Sequence, residues 1–72
     1  MADHHHGEGI DKLKVLLPHL RKHNDDHISD LGKWIEEAER AGLNEVASDL
    51  KRVLELSNDI DKCFESAIMK IS

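Results

Sequence analysis

The 72-residue chain carries a net charge of −5, and its only aromatic side chains besides histidine are Trp34 and Phe64. A chain of this length forms one small domain at most, here with a core of aliphatic side chains. The acidic balance disfavours nucleic-acid binding, and no apolar run is long enough for a membrane span or a signal sequence. The single cysteine, Cys63, excludes a disulfide within the chain and fits a reducing, cytoplasmic setting.

The first nine residues, MADHHHGEG, contain two glycines and no apolar periodicity, so we expect residues 1–9 to form a disordered arm. Its neighbouring histidines, His4, His5 and His6, would bind transition-metal ions weakly. If Met1 is removed, the new terminus Ala-Asp-His offers a square-planar site for copper(II) or nickel(II). The three histidines also fit a fragment of an expression tag, and both interpretations stay open.

Apolar residues between positions 10 and 72 predict a single helical domain with three helices. Pro18 interrupts their pattern, and proline is accepted in the first turn of a helix more readily than in its interior. We therefore expect a short helix over residues 10–17 and a long one over 18–41, although one continuous, kinked helix also fits. Gly42 closes the long helix, and Asn44 is the predicted N-cap of the last helix, over residues 44–71.

The short connection around Gly42 predicts that the two long helices run antiparallel as an all-α helical hairpin. Along both halves of the chain, apolar residues recur at alternating steps of four and three, the heptad pattern of helices that pack along a seam. Asn24 and Ser57 interrupt this pattern and predict a buried, hydrogen-bonded polar layer. The predicted seam positions are Leu13, Leu17, Leu20, Asn24, His27, Leu31, Trp34 and Ala38 before the turn, and Val46, Leu50, Val53, Ser57, Ile60, Phe64, Ala67 and Ile71 after it.

Two helices leave several apolar residues without cover, so the seam alone does not complete a core. The segment 10–17 could fold back over the hairpin and make a monomeric three-helix domain. A second copy could instead cover the hairpin and make a homodimeric four-helix bundle. We expect self-association through the helix seams, and the three-helix monomer stays the alternative.

The histidines are the residues that indicate a chemical function for this chain. His19, His23 and His27 are spaced four apart, and two residues at that spacing on a helix can direct their imidazoles at one metal ion. We expect facing residue numbers to sum to about 86 in the hairpin, which places Cys63 near His23. With Asp26 nearby, this set would suit nickel, zinc or cobalt ions.

The alternative is that the three helical histidines lie on a solvent-exposed polar face. Cys63 by itself fits burial as a small apolar side chain beside Phe64. All six histidines nevertheless lie within the first 27 residues, and a scattered surface composition does not predict such segregation. Both interpretations stay open from the sequence.

The stretch LLPHLRKHNDDH, followed by a second amphipathic helix, resembles a small uncharacterised His-rich helical-hairpin domain of anaerobic bacteria and archaea. The shared pattern is Leu-Leu-Pro-His, three residues, His-Asn, two residues, His, and it would extend from Leu13 to about Ile71. The resemblance implies a link to transition-metal handling, through His19, His23, Asn24 and His27. The chain departs from the pattern at Leu20, where the family usually has an aromatic residue.

The first functional hypothesis is a small cytoplasmic protein that binds Ni²⁺, Zn²⁺ or cobalt for storage or transfer, with a metal-handling protein as a further partner. The second is a non-catalytic helical protein-interaction or dimerisation module with histidines on its surface. We do not expect an enzyme, because the sequence has no pattern of a nucleophile and a base. Neither a nucleic acid nor a membrane is an expected partner.

Overall fold

The computed structural model describes the backbone of residues 2–72 and the side chains from Glu8 onward. These residues form two helices, α1 (Ala2–Arg40) and α2 (Asn44–Ile71). Contacts between Arg21 and Asp61 far from the turn, and between Glu39 and Lys51 near it, show that the helices run antiparallel. The predicted all-α helical hairpin is therefore confirmed, with Cα dimensions of 59 × 17 × 14 Å.

Helix α1 continues through Pro18, so the predicted separate helix over residues 10–17 is wrong. Proline removes the hydrogen bond that position 18 would donate to the carbonyl of Lys14, but both residues are exposed, so water can solvate that carbonyl. The described residues therefore do not form a three-helix domain. The backbone of residues 2–9, expected to be a disordered arm, is helical, and the side chains of His4, His5 and His6 lie outside the described residues.

The turn between the helices depends on Gly42, whose φ of 76° lies in the left-handed region. The amide of Gly42 donates to the Glu39 carbonyl at 3.0 Å, and the amide of Leu43 donates to the Ala38 carbonyl at 2.9 Å. This pair of bonds satisfies two carbonyls at the end of α1 in the pattern of a Schellman motif. The predicted N-cap is wrong by one residue, because Leu43 occupies that position and makes no side-chain cap bond.

The seam, meaning the side chains of each helix that face the other, repeats at steps of four and three on α1 and three and four on α2. Its buried residues are Leu31, Ile35 and Ala38 of α1 with Ala47 and Ser57 of α2. No described side chain is fully buried, which is what a hairpin of only two helices allows. The seam consists of Leu17, Arg21, Asn24, Ile28, Leu31, Ile35 and Ala38, with Ala47, Leu50, Leu54, Ser57, Asp61, Phe64, Ile68 and Ile71.

Half of the predicted seam lies elsewhere on the hairpin. Every second predicted position, such as Leu31 and Phe64, faces the opposite helix as expected, but the intervening positions, such as Trp34 and Ile60, lie beside the seam, and all of them except Ala67 are exposed. Apart from Leu13, each of these positions is replaced in the seam by the residue that directly follows it, and the replacements include Arg21 and Asp61. The sequence pattern predicted the seam on the more apolar side of each helix. The side that packs against the other helix carries the charges of Arg21 and Asp61, so it is the less apolar of the two.

Candidate interaction face and histidine pair

An apolar stripe lies beside the seam on both helices. Each of its members except Leu13 directly precedes a seam residue, as Leu20 precedes Arg21 and Val53 precedes Leu54, and Leu13 lies seven residues before Leu20. The large apolar members are exposed by 40–52%, far more than the buried seam residues. The stripe consists of Leu13, Leu20, His27 and Trp34 of α1 with Val46, Val53, Ile60 and Ala67 of α2.

Both halves of the stripe lie on one side of the hairpin. Each residue is rotated by about 100° from its neighbour around a helix, so the residues preceding the seam lie on one flank of each helix. Because the helices run antiparallel, these two flanks turn to the same side. The residues that follow the seam mark the opposite side, where Lys51 donates to Glu39 at 3.1 Å. The hairpin thus has an apolar side and an ionic side.

A charged cluster joins the helices within the seam and on the ionic side. The guanidinium of Arg21 donates from Nε and from one terminal nitrogen to both carboxylate oxygens of Asp61, at 3.0 and 3.3 Å. It also contacts Glu65 at 3.5 Å. These donors lower the pKa of Asp61, and the Asp61 partner raises the pKa of Arg21. A hydrogen bond to Asp61 raises the pKa of Asp25, the next residue after Asn24.

Sequence reasoning missed this charged cluster, although one signal for it was present. Arg21 and Asp61 have opposite charges and each falls at a heptad step from apolar seam residues. The side chains of Arg21 and Asp61 remain 33% and 24% exposed, so their charges keep contact with water. A partly exposed, bidentate ion pair can therefore occupy a seam without the full desolvation cost of a buried pair.

Next to the ion pair, the predicted polar layer is confirmed. The Asn24 side-chain amide donates to the backbone carbonyl of Ser57 at 3.0 Å, and Ser57 is buried. The numbers of these two residues sum to 81, and those of Arg21 and Asp61 sum to 82. The expected sum was about 86, so the observed alignment of α2 against α1 differs from the predicted one by about one helical turn.

His23 and His27 form a pair on the exposed surface of α1. Their Nε2 atoms lie 3.1 Å apart, and their rings meet edge to face with centroids 4.5 Å apart. One neutral ring donates this hydrogen bond and the other accepts it. His27 belongs to the apolar stripe, and the register places it level with residues 54–55 of α2, next to the stripe residue Val53. His23 lies one turn earlier, level with residues 58–59 of α2.

The structure does not bring the other predicted ligands to this pair. Cys63 is four to five residues beyond the level of His23, or about 6–7 Å farther along α2, so the expected placement of Cys63 opposite His23 is wrong. Asp26 contacts Lys22 at 3.5 Å, and His19 is exposed two turns before His27. Within the part of the chain that the structure describes, no three His, Cys, Asp or Glu side chains converge as a metal site requires.

Seam, stripe and turn together define a small antiparallel helical hairpin with heptad-type packing. Residues 13–71 match the family described as a domain of unknown function (DUF8180), and the chain belongs to that family. The matched segment includes the whole apolar stripe and the pair formed by His23 and His27. No curated protein and no solved structure matches the chain. Neither described helix has an apolar stretch long enough to cross a membrane.

Proposed function

We propose that this chain is a non-catalytic helical interaction module that pairs with a second copy through its apolar stripe. The observation that carries the proposal is the composition of the stripe. Its eight positions include no charged side chain, whereas 35% of all residues are charged. A largely apolar, uncharged surface of this kind on a small protein is typical of an interaction site.

The weakness of the hairpin's own core supports this proposal. Only Leu31, Ile35, Ala38 and Ala47 are buried apolar residues among the described side chains. Domains of this size usually need a metal, a disulfide or a partner subunit to become stable. Burying Trp34, Val53 and Ile60 against a second copy would give the hairpin a second apolar layer.

The dimensions of the stripe agree with a dimer at the lower limit of stable interfaces. Between Leu13 and Trp34 it extends about 32 Å along α1, and the hairpin is 17 Å wide. One such face covers roughly 500 Å², so two copies would bury roughly 1,000 Å² in total, close to the minimum for a specific interface. The pairing of two hairpins gives a four-helix bundle.

A second copy is the partner that the spacing favours. On both helices the stripe residues recur every seven positions, which is the repeat that lets helices pack side by side over several turns. A two-fold axis through the middle of the stripe makes the stripes of the two copies antiparallel. Each end of one stripe then contacts the opposite end of the stripe on the other copy. The same surface then serves both partners, as in most soluble homodimers.

The test compares Ile60→Lys with Asn58→Lys by sedimentation equilibrium. Ile60 lies in the stripe, whereas Asn58 directly follows the seam residue Ser57 and lies on the ionic side. We expect the unmodified chain and Asn58→Lys to be dimeric at micromolar concentration and Ile60→Lys to be monomeric. Both variants add one positive charge to an acidic chain, so net charge cannot explain a difference between them.

Trp34 supplies a second, independent measurement, because it is the only tryptophan and lies in the stripe. Its emission should shift to shorter wavelength as the dimer forms and return on dilution. Circular dichroism checks that both variants stay helical. A chain that is monomeric up to about millimolar concentration, or an Ile60→Lys variant as dimeric as Asn58→Lys, would refute the proposed function.

Binding of a transition-metal ion is the second candidate function, and the His23–His27 pair is the observation that favours it. Two imidazole nitrogens at 3.1 Å are close enough to share one ion. Storage or transfer of nickel, zinc or cobalt would then be the role of the chain. Both candidates suit a cytoplasmic setting, which the lone Cys63 favours.

A further inference from the structure

The histidine pair already has nearly the spacing that a tetrahedral metal ion imposes. Zinc binds imidazole nitrogen at about 2.0–2.1 Å, so two such ligands of one tetrahedral ion lie about 3.3 Å apart. The Nε2 atoms of His23 and His27 are 3.1 Å apart. A change of a few tenths of an ångström would let both nitrogens bind one ion.

One chain supplies only these two ligands. The stripe residues of α2 nearest to the level of the histidines are Val53 and Ile60, and neither side chain can bind a metal. The carboxylate of Asp26 contacts Lys22, and the described residues contain no converging group of three possible ligands. A tetrahedral site at this pair therefore needs ligands from another molecule.

A second copy docked on the apolar stripe would provide them. The α1 part of the stripe runs from Leu13 to Trp34, and its midpoint falls between His23 and His27. A two-fold axis through that point, perpendicular to the helices, places α1 antiparallel to α1 of the second copy. Leu13 then lies level with Trp34 of the other copy, and both histidine pairs lie within about one helical turn of the axis.

We propose that His23 and His27 of two copies bind one Zn²⁺ or Co²⁺ ion at the two-fold axis of this dimer. This inference rests on the proposed function, since the site is incomplete without the second copy. Four imidazole nitrogens in tetrahedral arrangement suit zinc and cobalt, whereas nickel and copper(II) prefer square-planar geometry and magnesium and calcium prefer oxygen ligands.

Binding changes the tautomer of one histidine in each chain. In the metal-free pair, one ring donates the Nε2–H···Nε2 hydrogen bond, so it carries its proton on Nε2. Both Nε2 lone pairs must face the ion, so that proton moves to Nδ1 and the hydrogen bond is replaced by two metal–nitrogen bonds. The rings stay neutral, and no net proton is released by this exchange.

The experiment uses the full chain with His4, His5 and His6 all replaced by alanine, so that ions held by these three histidines do not obscure the stoichiometry. In this background we compare His23→Ala, His27→Ala and the matched control His19→Ala, which is exposed one turn before His23 on α1. Zinc titration by calorimetry gives the stoichiometry, and sedimentation with zinc or with a chelator gives the dimer dissociation constant. The visible spectrum of the cobalt form reports its geometry.

We expect one zinc ion for every two chains, and a dimer dissociation constant that falls by at least tenfold when zinc is added. The cobalt complex should absorb strongly in the visible range, as tetrahedral Co²⁺ does. His23→Ala and His27→Ala should lose the zinc effect, and His19→Ala should keep it. One ion per chain, or equal loss in His19→Ala, would overturn the shared site.

The outcomes separate this inference from the proposed function. A dimer that persists in chelator but binds no zinc supports the interaction module and refutes the metal site. A chain that is monomeric in chelator, but dimerises with zinc through His23 and His27, refutes dimerisation by the stripe alone and supports the shared site. A monomer under both conditions refutes both.

Discussion

The two ends of the hairpin hold together by different means. Near the turn, the seam is entirely apolar, and it contains all four buried apolar residues of the described chain. Far from the turn, it includes the Arg21–Asp61 ion pair and the bond from Asn24 to Ser57. The apolar members there, such as Leu17 and Phe64, are only half-buried.

This difference separates stability from specificity. Apolar burial near the turn supplies most of the favourable free energy, because the hydrophobic effect scales with the area removed from water. Directional polar contacts farther away contribute less net free energy, but they fit only one alignment of the helices. A shift of α2 by one heptad would leave Arg21 and Asn24 without their partners. The polar contacts far from the turn therefore determine how the two helices align. The apolar contacts near the turn would by themselves allow other alignments.

The largest expected effect comes from removing apolar volume near the turn. Leu31→Ala, at a side chain only 5% exposed, should lower the free energy of unfolding by about 2 to 4 kcal/mol. Leu17→Ala, at a half-buried seam position far from the turn, should cost about 1 kcal/mol. Urea unfolding followed by circular dichroism at one fixed protein concentration measures both. Equal losses in the two variants would show that the halves contribute alike.

Replacing Pro18 should give the next largest effect, and this substitution should stabilise the hairpin instead of destabilising it. Pro18→Ala restores the bond from position 18 to the Lys14 carbonyl and removes the clash of the proline ring with that carbonyl. We expect the free energy of local opening for residues 10–22 to rise by about 1 to 3 kcal/mol, measured by amide hydrogen exchange.

Ser29→Ala serves as the control for Pro18→Ala, because Ser29 is an exposed position on the same helix. Any gain there should come from helix propensity alone, about 0.5 kcal/mol, and should leave the amides of residues 10–17 unchanged. Unaltered exchange in Pro18→Ala would mean that the proline does not limit the turn-distal half.

The sequence predicted the half of the hairpin near the turn better than the half far from it. Near the turn, Gly42 and the heptad spacing were sufficient to predict the hairpin, because glycine and apolar periodicity act locally. Farther away, the ion pair between Arg21 and Asp61 placed charge in the seam, so apolar periodicity pointed to the stripe instead. The break at Pro18 was also wrong, since an exposed proline can remain within a long helix when water solvates the freed carbonyl.

Within the candidate site, the sequence predicted the His23–His27 pair because four-residue spacing on a helix fixes their proximity. It could not predict what lies across from them. That depends on the register, which was misjudged by one turn, and on contacts between residues 40 positions apart such as Arg21 and Asp61. With the observed register, Cys63 lies more than one helical turn beyond the level of His23, and the nearest stripe residues of α2 are Val53 and Ile60. This changes the metal hypothesis from a site within one chain to a site between two.

The smallest expected effect tests the polar half by pH. The bond to Asp61 raises the pKa of Asp25 above its ordinary value of 3.8, so ionising Asp25 costs stability as pH rises through its pKa in the folded chain. The pKa of Asp61 is lowered mainly by Arg21, so its contribution is present above the ordinary value and is lost as pH falls through the lowered one. The two carboxyl groups thus act in opposite directions.

Asp25→Asn should therefore raise the melting temperature slightly at pH 7, because the amide can donate to Asp61 without adding a second negative charge. The gain should shrink in acid, where Asp25 in the unmodified chain is protonated and donates the same bond. Asp59→Asn removes an exposed carboxylate elsewhere on α2 and should show a smaller, nearly pH-independent change. If the advantage of Asp25→Asn is the same at pH 3 and pH 7, the shared hydrogen bond does not determine the pH response, and Arg21 alone stabilises the Asp61 carboxylate.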